Sequence, residues 1–247
     1  MPLNFHRFRP IVAIRAPSDS VMQEQIKIYS SAFSYARSSS GQAKGACAVS
    51  TSHGPQIGLP KKTSSRQAFG LLQISLNLSG SPLDTIPRNG PVLFVANHPF
   101  GVVDGLAMGQ LATSIRADTL VMTHSLVVFP GGGVATSINP LSGRAIESPW
   151  HRFVGKLARL PNVTVVPVYF HGQNSRLFQI VSHINYALRV ALLFCESLRH
   201  IGQRVELSLG KPIPQHEIAR FGDRAKTIQA LKQITLALGA DSASPWS

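Results

Sequence analysis

The sequence predicts an α/β fold, a mostly parallel twisted sheet with helices on both faces. Three observations lead there. Residues 92–96, Val-Leu-Phe-Val-Ala, form a short apolar run typical of a strand buried on both faces. The run stops at Asn97-His98-Pro99, turns at Phe100-Gly101 and enters a small-residue apolar stretch, 102–112, of helical character. From residue 90 onward strand-like and helix-like segments alternate, the pattern of parallel sheets built through crossover helices.

The elements follow in order. Residues 1–65 read as a basic N-terminal tail and linker, partly disordered. Phe5-His6-Arg7-Phe8-Arg9 is basic and aromatic, 21–36 has helical character, and 37–66 has the Ser, Gly, Lys and Pro content of a linker. The α/β domain is expected at 66–247, with its boundary near Ser65. Alternation at 72–78 predicts a strand. Turn residues at 80–91 lead into the strand at 92–96. Proline cannot donate to a ladder, so Pro99 ends that strand. A long β-like run at 119–129 is broken by Pro130-Gly131-Gly132-Gly133. Residues 140–148 read as a loop, 150–160 as a helix, and 163–170 as a second buried strand. A long helix at 179–199, a strand at 205–209 and a mostly helical 214–238 complete the chain. The apolar stripe of 179–199 fits a helix packed on a sheet and equally an amphipathic helix on a membrane.

Composition narrows the partners. The 247 residues suit one α/β domain, or one domain with an appendage. Lys and Arg number 24 against 11 Asp and Glu, a formal net charge of +13, which calls for an anionic partner. No zinc-finger spacing or aromatic RNA-binding strand occurs, which argues against nucleic acid and for an anionic membrane surface or a phosphorylated substrate. Cys47 and Cys195 suit neither a disulfide framework nor a zinc site, and a reducing cytoplasm is the default. No uninterrupted apolar stretch reaches the ~18–20 residues of a membrane span, and residues 1–15 do not read as a signal peptide. A membrane role is therefore expected to be cytoplasmic and peripheral, on the inner face of the cytoplasmic membrane.

His98 and Asp104 are the candidate chemical pair. Imidazole suits general-base work near neutral pH, and a carboxylate on its far nitrogen fixes the tautomer and stabilises the imidazolium. The turn between them can bring Asp104 back beneath His98. From spacing alone a second reading stands: His98 as a polar strand-end residue and Asp104 as a first-turn acid favoured by the helix dipole. Gly131, Gly132 and Gly133 can form an anion-binding nest or merely a tight turn. Their spacing fits no Walker or dinucleotide motif, so no nucleotide cofactor is expected. Asn174 and Ser175 follow the strand at 163–170 and fall at the same sheet end as His98, where they can orient a substrate. No carboxylate or His/Cys cluster suggests a metal. A serine hydrolase would need a Gly-x-Ser-x-Gly elbow, which is absent.

The stretch Asn97-His98-Pro99-Phe100-Gly101-Val102-Val103-Asp104-Gly105 resembles the first block of the glycerolipid (lysophospholipid) acyltransferase family. Five residues separate His98 from Asp104, the form used by the bacterial hemolysin-like branch linked to lysophospholipid and ornithine-lipid acylation. Residues 128–136 and 165–178 resemble two later blocks, in the family's order, so the likeness covers roughly residues 66–215. The resemblance implies a glycerolipid-acyltransferase-like fold and an O-acyltransferase without a cofactor. The acyl donor would be a thioester of coenzyme A or acyl carrier protein, and the acceptor a lysolipid hydroxyl, in phospholipid or ornithine-lipid synthesis. His98 would be the base and Asp104 its partner. Asn97, Gly101, Gly131, Gly132, Gly133, Asn174 and Ser175 would bind substrate. Gly131 stands where the family's second block has glutamate, and Val134 where it has the arginine expected to hold the acceptor's phosphate. Arg144 or Arg152, just downstream, could supply a guanidinium instead, the other reading of each being a solvated surface arginine.

The resemblance also implies a deletion. The family usually carries several tens of residues between the helix after the first block and the Phe-Pro-Gly block. Here 119–129 runs straight through, with no room for the crossover that two parallel neighbours need. A single strand or irregular splice is expected, with the sheet short by one strand and His124 in mid-strand. The alternative function is thus an impaired, shortened member acting as a basic peripheral membrane or anionic-lipid binding protein.

Overall fold

A computed structural model of the protein describes residues 73–116 and 129–240. The expected tail and linker at 1–65 and their boundary at Ser65 lie outside these residues. So do nearly all of the run at 119–129 and His124.

The strands are β1 (Ser75–Gly80), β2 (Val92–Ala96), β3 (Thr136–Ser137), β4 (Ala145–Ile146), β5 (Thr164–Phe170), β6 (Arg204–Leu209) and β7 (Ile213–Pro214). The helices are α1 (Val102–Ile115), α2 (Arg152–Leu157), α3 (Arg176–Val181), α4 (Tyr186–Arg199), α5 (Gln215–Arg220) and α6 (Arg224–Ala237). The main sheet runs β1-β6-β5-β2, with β7 also on β5. β1 and β6 are parallel, as are β2 and β5. The β5–β6 and β5–β7 pairs are antiparallel, so the sheet is mixed, though mostly parallel by register. β3 and β4 form a separate antiparallel hairpin, with β4 inside the 140–148 stretch expected to be a loop and β3 just before it.

Strand periodicity places two cores on opposite faces of the sheet. Ala96, Val166, Val168 and Phe170 pack with Val103, Ala107, Met108 and Leu111 of α1. Val95 and Val165 point the other way, onto Val154 of α2, Ile218 of α5, and Ile228 and Leu231 of α6. Helices therefore cover both faces, as expected. Burying each such Val, Leu or Phe contributes on the order of 1.5–3 kcal/mol.

Two long helical readings divide. The expected helix at 179–199 is α3 and α4, because Asn185 accepts from the N–H groups of Ala187 (2.8 Å) and Leu188 (3.1 Å) and starts a new helix. The helical 214–238 divides at Gly222, with φ +94°, and Asp223 caps α6 by accepting from Lys226 N. No helix among the described residues is long and apolar enough to cross a membrane.

Candidate active site

The site forms where β2 ends. Asn97 keeps the end of β2 fixed to β5: its Nδ2 donates to Phe170 O (2.9 Å) and its Oδ1 accepts from Phe170 N (2.7 Å). The side chain thus continues the ladder while the backbone turns away, and its amide is taken up by the fold rather than turned to a substrate. The turn needs Gly101, whose φ of +90° suits no L side chain and whose absent Cβ would lie 2.8 Å from Leu193 Cδ1.

The same turn folds Asp104 under His98. Asp104 Oδ2 lies 2.9 Å from His98 Nδ1 and also accepts from the N–H groups of Phe100 (2.9 Å) and Gly101 (3.0 Å). Asp104 is fully buried. A carboxylate so placed is tolerable only because several donors meet it. With Asp104 accepting, neutral imidazole carries its proton on Nδ1, which leaves the Nε2 lone pair for a substrate. The His98 side chain retains 11% exposure. Its ring stacks on Phe129 at a centroid distance of 4.0 Å and 17° between planes. Phe129 in turn meets Phe170 of β5.

The glycine stretch lies against this pair. Ala135 N donates to His98 O at 2.7 Å, and Gly132 closes a turn on Phe129 O with φ +68°. A Cβ on Gly133 would meet nothing within 4 Å, so the loop is open there. A Cβ on Gly131 would stand 2.8 Å from Glu147 Oε1.

Glu147 is the residue that sequence reasoning missed. Its Oε2 accepts from the His98 backbone N–H at 3.2 Å, and its Oε1 is buried with no hydrogen-bond partner. Burial is the main cause that raises its carboxyl to about pH 7; the His98 N–H and the His98 charge oppose the shift. Lys232 of α6 donates to the backbone carbonyls of Glu147 and Ser148, both at 3.1 Å, and holds the segment in place. The only sequence signal was an acid standing alone between residues 129 and 195.

The other expected site residues divide. Ser175 caps α3 and bonds Glu196 through both its hydroxyl and its N–H, so its polar groups serve the fold. Asn174 is buried with neither side-chain amide atom hydrogen-bonded, which leaves unmet capacity beside the strand end. Arg144 and Arg152 are exposed. The guanidinium found at the glycine stretch belongs instead to Arg189, which donates to Val134 O at 3.0 Å and lies over the Phe178 ring.

No protein-family model matches the chain, and no solved structure matches it significantly. The chain is similar to the lyso-glycine lipid O-acyltransferase of Phocaeicola vulgatus, with 25% identity over 202 aligned residues, covering 63% of this chain and 71% of that protein. The likeness supports a relationship to lipid O-acyltransferases at a coarse level.

Proposed function

We propose that this protein moves a fatty acyl group from a thioester, on coenzyme A or acyl carrier protein, to a hydroxyl of a lysolipid. The observation that carries the reading is the buried His98–Asp104 pair, 2.9 Å apart at the end of β2, with the outer imidazole nitrogen left for a substrate. His98 Nε2 takes the acceptor hydroxyl's proton as that oxygen attacks the thioester carbonyl. Asp104 stabilises the imidazolium that forms. The tetrahedral intermediate collapses, the carbon–sulfur bond breaks, and the imidazolium returns the proton to the leaving thiolate. Gly132 N is engaged by Phe129 O, so the N–H groups of Gly131 and Gly133 are the loop donors available to the oxyanion. No covalent enzyme intermediate is required. General-base catalysis of this kind contributes roughly 10²–10⁴-fold.

The acceptor we favour carries a carboxylate rather than a phosphate monoester. Val134 offers no guanidinium, Arg189 reaches the same stretch from α4, and the similar protein is named for a lyso-glycine lipid. A lipid acceptor and the net charge of +13 make an anionic membrane surface the expected partner.

A second reading rests on the match itself. The 202 aligned positions exceed the residues contained in 63% of a 247-residue chain, so this chain carries gaps against its relative. Such gaps agree with an internal deletion and with a weakly active or inactive anionic-lipid binder. One experiment separates the two readings. Purified protein is incubated with lyso-glycine, lyso-ornithine and lysophosphatidic acid acceptors and with acyl-CoA or acyl carrier protein, and products are read by mass. Acylation that disappears in His98→Ala supports transfer. Lipid binding without product supports the second reading.

A further inference from the structure

The β3–β4 hairpin and the bend between α3 and α4 meet in one exposed corner. Ser137 N donates to Gln179 Oε1 (2.8 Å), and His183 Nε2 lies 3.0 Å from Ser137 O. Arg176 donates to Leu141 O, and Gln173 bonds both Gly143 O and Ala145 N. These polar links join the two segments, and the apolar side chains beside them remain outside. Leu141 is 87% exposed, Tyr186 80%, Ile138 71% and Ile184 69%, with Leu177 and Leu188 also exposed. Isolated exposed apolar residues need no explanation, but six on two hydrogen-bonded segments do.

The charge on these segments has one sign. Residues 134–146 carry Arg144 and residues 173–190 carry Arg176, Arg189 and His183, with no Asp or Glu in either stretch. Exposed apolar side chains on segments whose own charged groups are all basic complement the interface of an anionic bilayer. The corner also adjoins the site. Its hairpin follows Ala135, which bonds His98 O, and Arg189 reaches Val134 O.

We propose that this corner is the surface by which the protein docks on an anionic lipid bilayer, with the Ile138, Leu141, Ile184 and Tyr186 side chains entering the headgroup–acyl boundary. The proposal rests on the lysolipid reading for its purpose: an acceptor lying in the bilayer would reach His98 without crossing water.

The full chain is sedimented with phosphatidylcholine vesicles, with and without phosphatidylglycerol. Binding to the anionic vesicles that weakens as salt rises is expected. The double variant Leu141→Asp/Ile184→Asp, at two exposed positions, should lower the partition coefficient at least about tenfold. Leu236→Asp, an exposed position on α6, should leave it unchanged. Circular dichroism checks that all three proteins fold alike. Wild-type binding by the double variant overturns the proposal, as does an equal loss in Leu236→Asp or binding indifferent to salt and to phosphatidylglycerol. Absence of vesicle binding, with a dimer that the double variant dissolves, assigns the corner to a second copy and also overturns it. The double variant should still acylate a detergent-dispersed short-chain lysolipid while losing activity on vesicle-borne acceptor. A wild type that binds vesicles but acylates neither substrate sinks the transferase reading and leaves docking standing.

Discussion

The backbone N–H of His98 donates to Glu147 Oε2 at 3.2 Å, across 49 residues of chain. The imidazole is thus fixed from two sides. Asp104 holds its ring nitrogen, and Glu147 holds the peptide from which the ring hangs. A Cβ at Gly131 would collide with the other Glu147 oxygen, so the glycine is what makes room for this second carboxylate.

Glu147 should make stability depend on pH. Its carboxyl is raised by burial from 4.5 to about 7, so between those values the folded chain binds the extra proton. Stability contributed by this group is therefore full below about pH 4.5 and declines as pH rises through about 7. The expected loss is on the order of 3 kcal/mol. Urea denaturation of wild type and Glu147→Gln at pH 5 and pH 8 reads it. The Gln variant keeps an acceptor for His98 N and should lose this slope. Parallel pH curves for the two proteins would refute the assignment.

Replacing the ring or its partner should affect chemistry and fold differently. His98→Ala is expected to abolish acyl transfer and to cost less stability than Asp104→Ala, since it removes one donor to Asp104 and the stacking on Phe129. Asp104→Ala strands the N–H groups of Phe100 and Gly101 in a buried turn. At roughly 1–3 kcal/mol per unsatisfied donor, a drop of about 3 kcal/mol is expected together with lost activity. Thermal melts of both variants beside product mass decide the matter, and a fully active His98→Ala would end the proposal.

Two glycines should respond oppositely to alanine. Gly101→Ala forces φ +90° on an L residue and drives a methyl to 2.8 Å from Leu193, a strain of about 1–3 kcal/mol. Gly133→Ala meets open space and should melt like wild type. Equal melting temperatures for the two variants would contradict this geometry.

Ser175→Ala should act on stability and leave substrate affinity alone. The hydroxyl caps α3 and donates to Glu196, and removing a cap costs roughly 0.5–2 kcal/mol. A raised KM for the acceptor with an unchanged melt would return Ser175 to the substrate.

The strands that position the site were legible because their surroundings are simple. Thr164–Phe170 is buried along most of its length and Val92–Ala96 is half-buried to buried, which leaves unbroken apolar runs in the sequence. The Asn-His-Pro break marked where the chain leaves the sheet. Strand direction was not legible: nothing in residues 204–209 records that β6 lies antiparallel to β5. The gap between α3 and α4 was hidden because apolar side chains continue through it, and the break is made by the Asn185 cap. Glu147 was hidden for another reason. It belongs to no local pattern, and it meets His98 only because β4 pairs with β3 and Lys232 holds the following carbonyls.

The Asn97 bridge makes the site depend on one side-chain amide. Conversion of Asn97 to aspartate by spontaneous deamidation would replace a donor with an oxygen facing the Phe170 carbonyl, and two acceptors would then oppose each other in a buried place. The strand end would part from β5 one residue before the histidine. A single ageing event, far smaller than unfolding, would therefore be enough to retire the molecule. The same bridge would slow that event, because it ties the amide to Phe170 in a buried place.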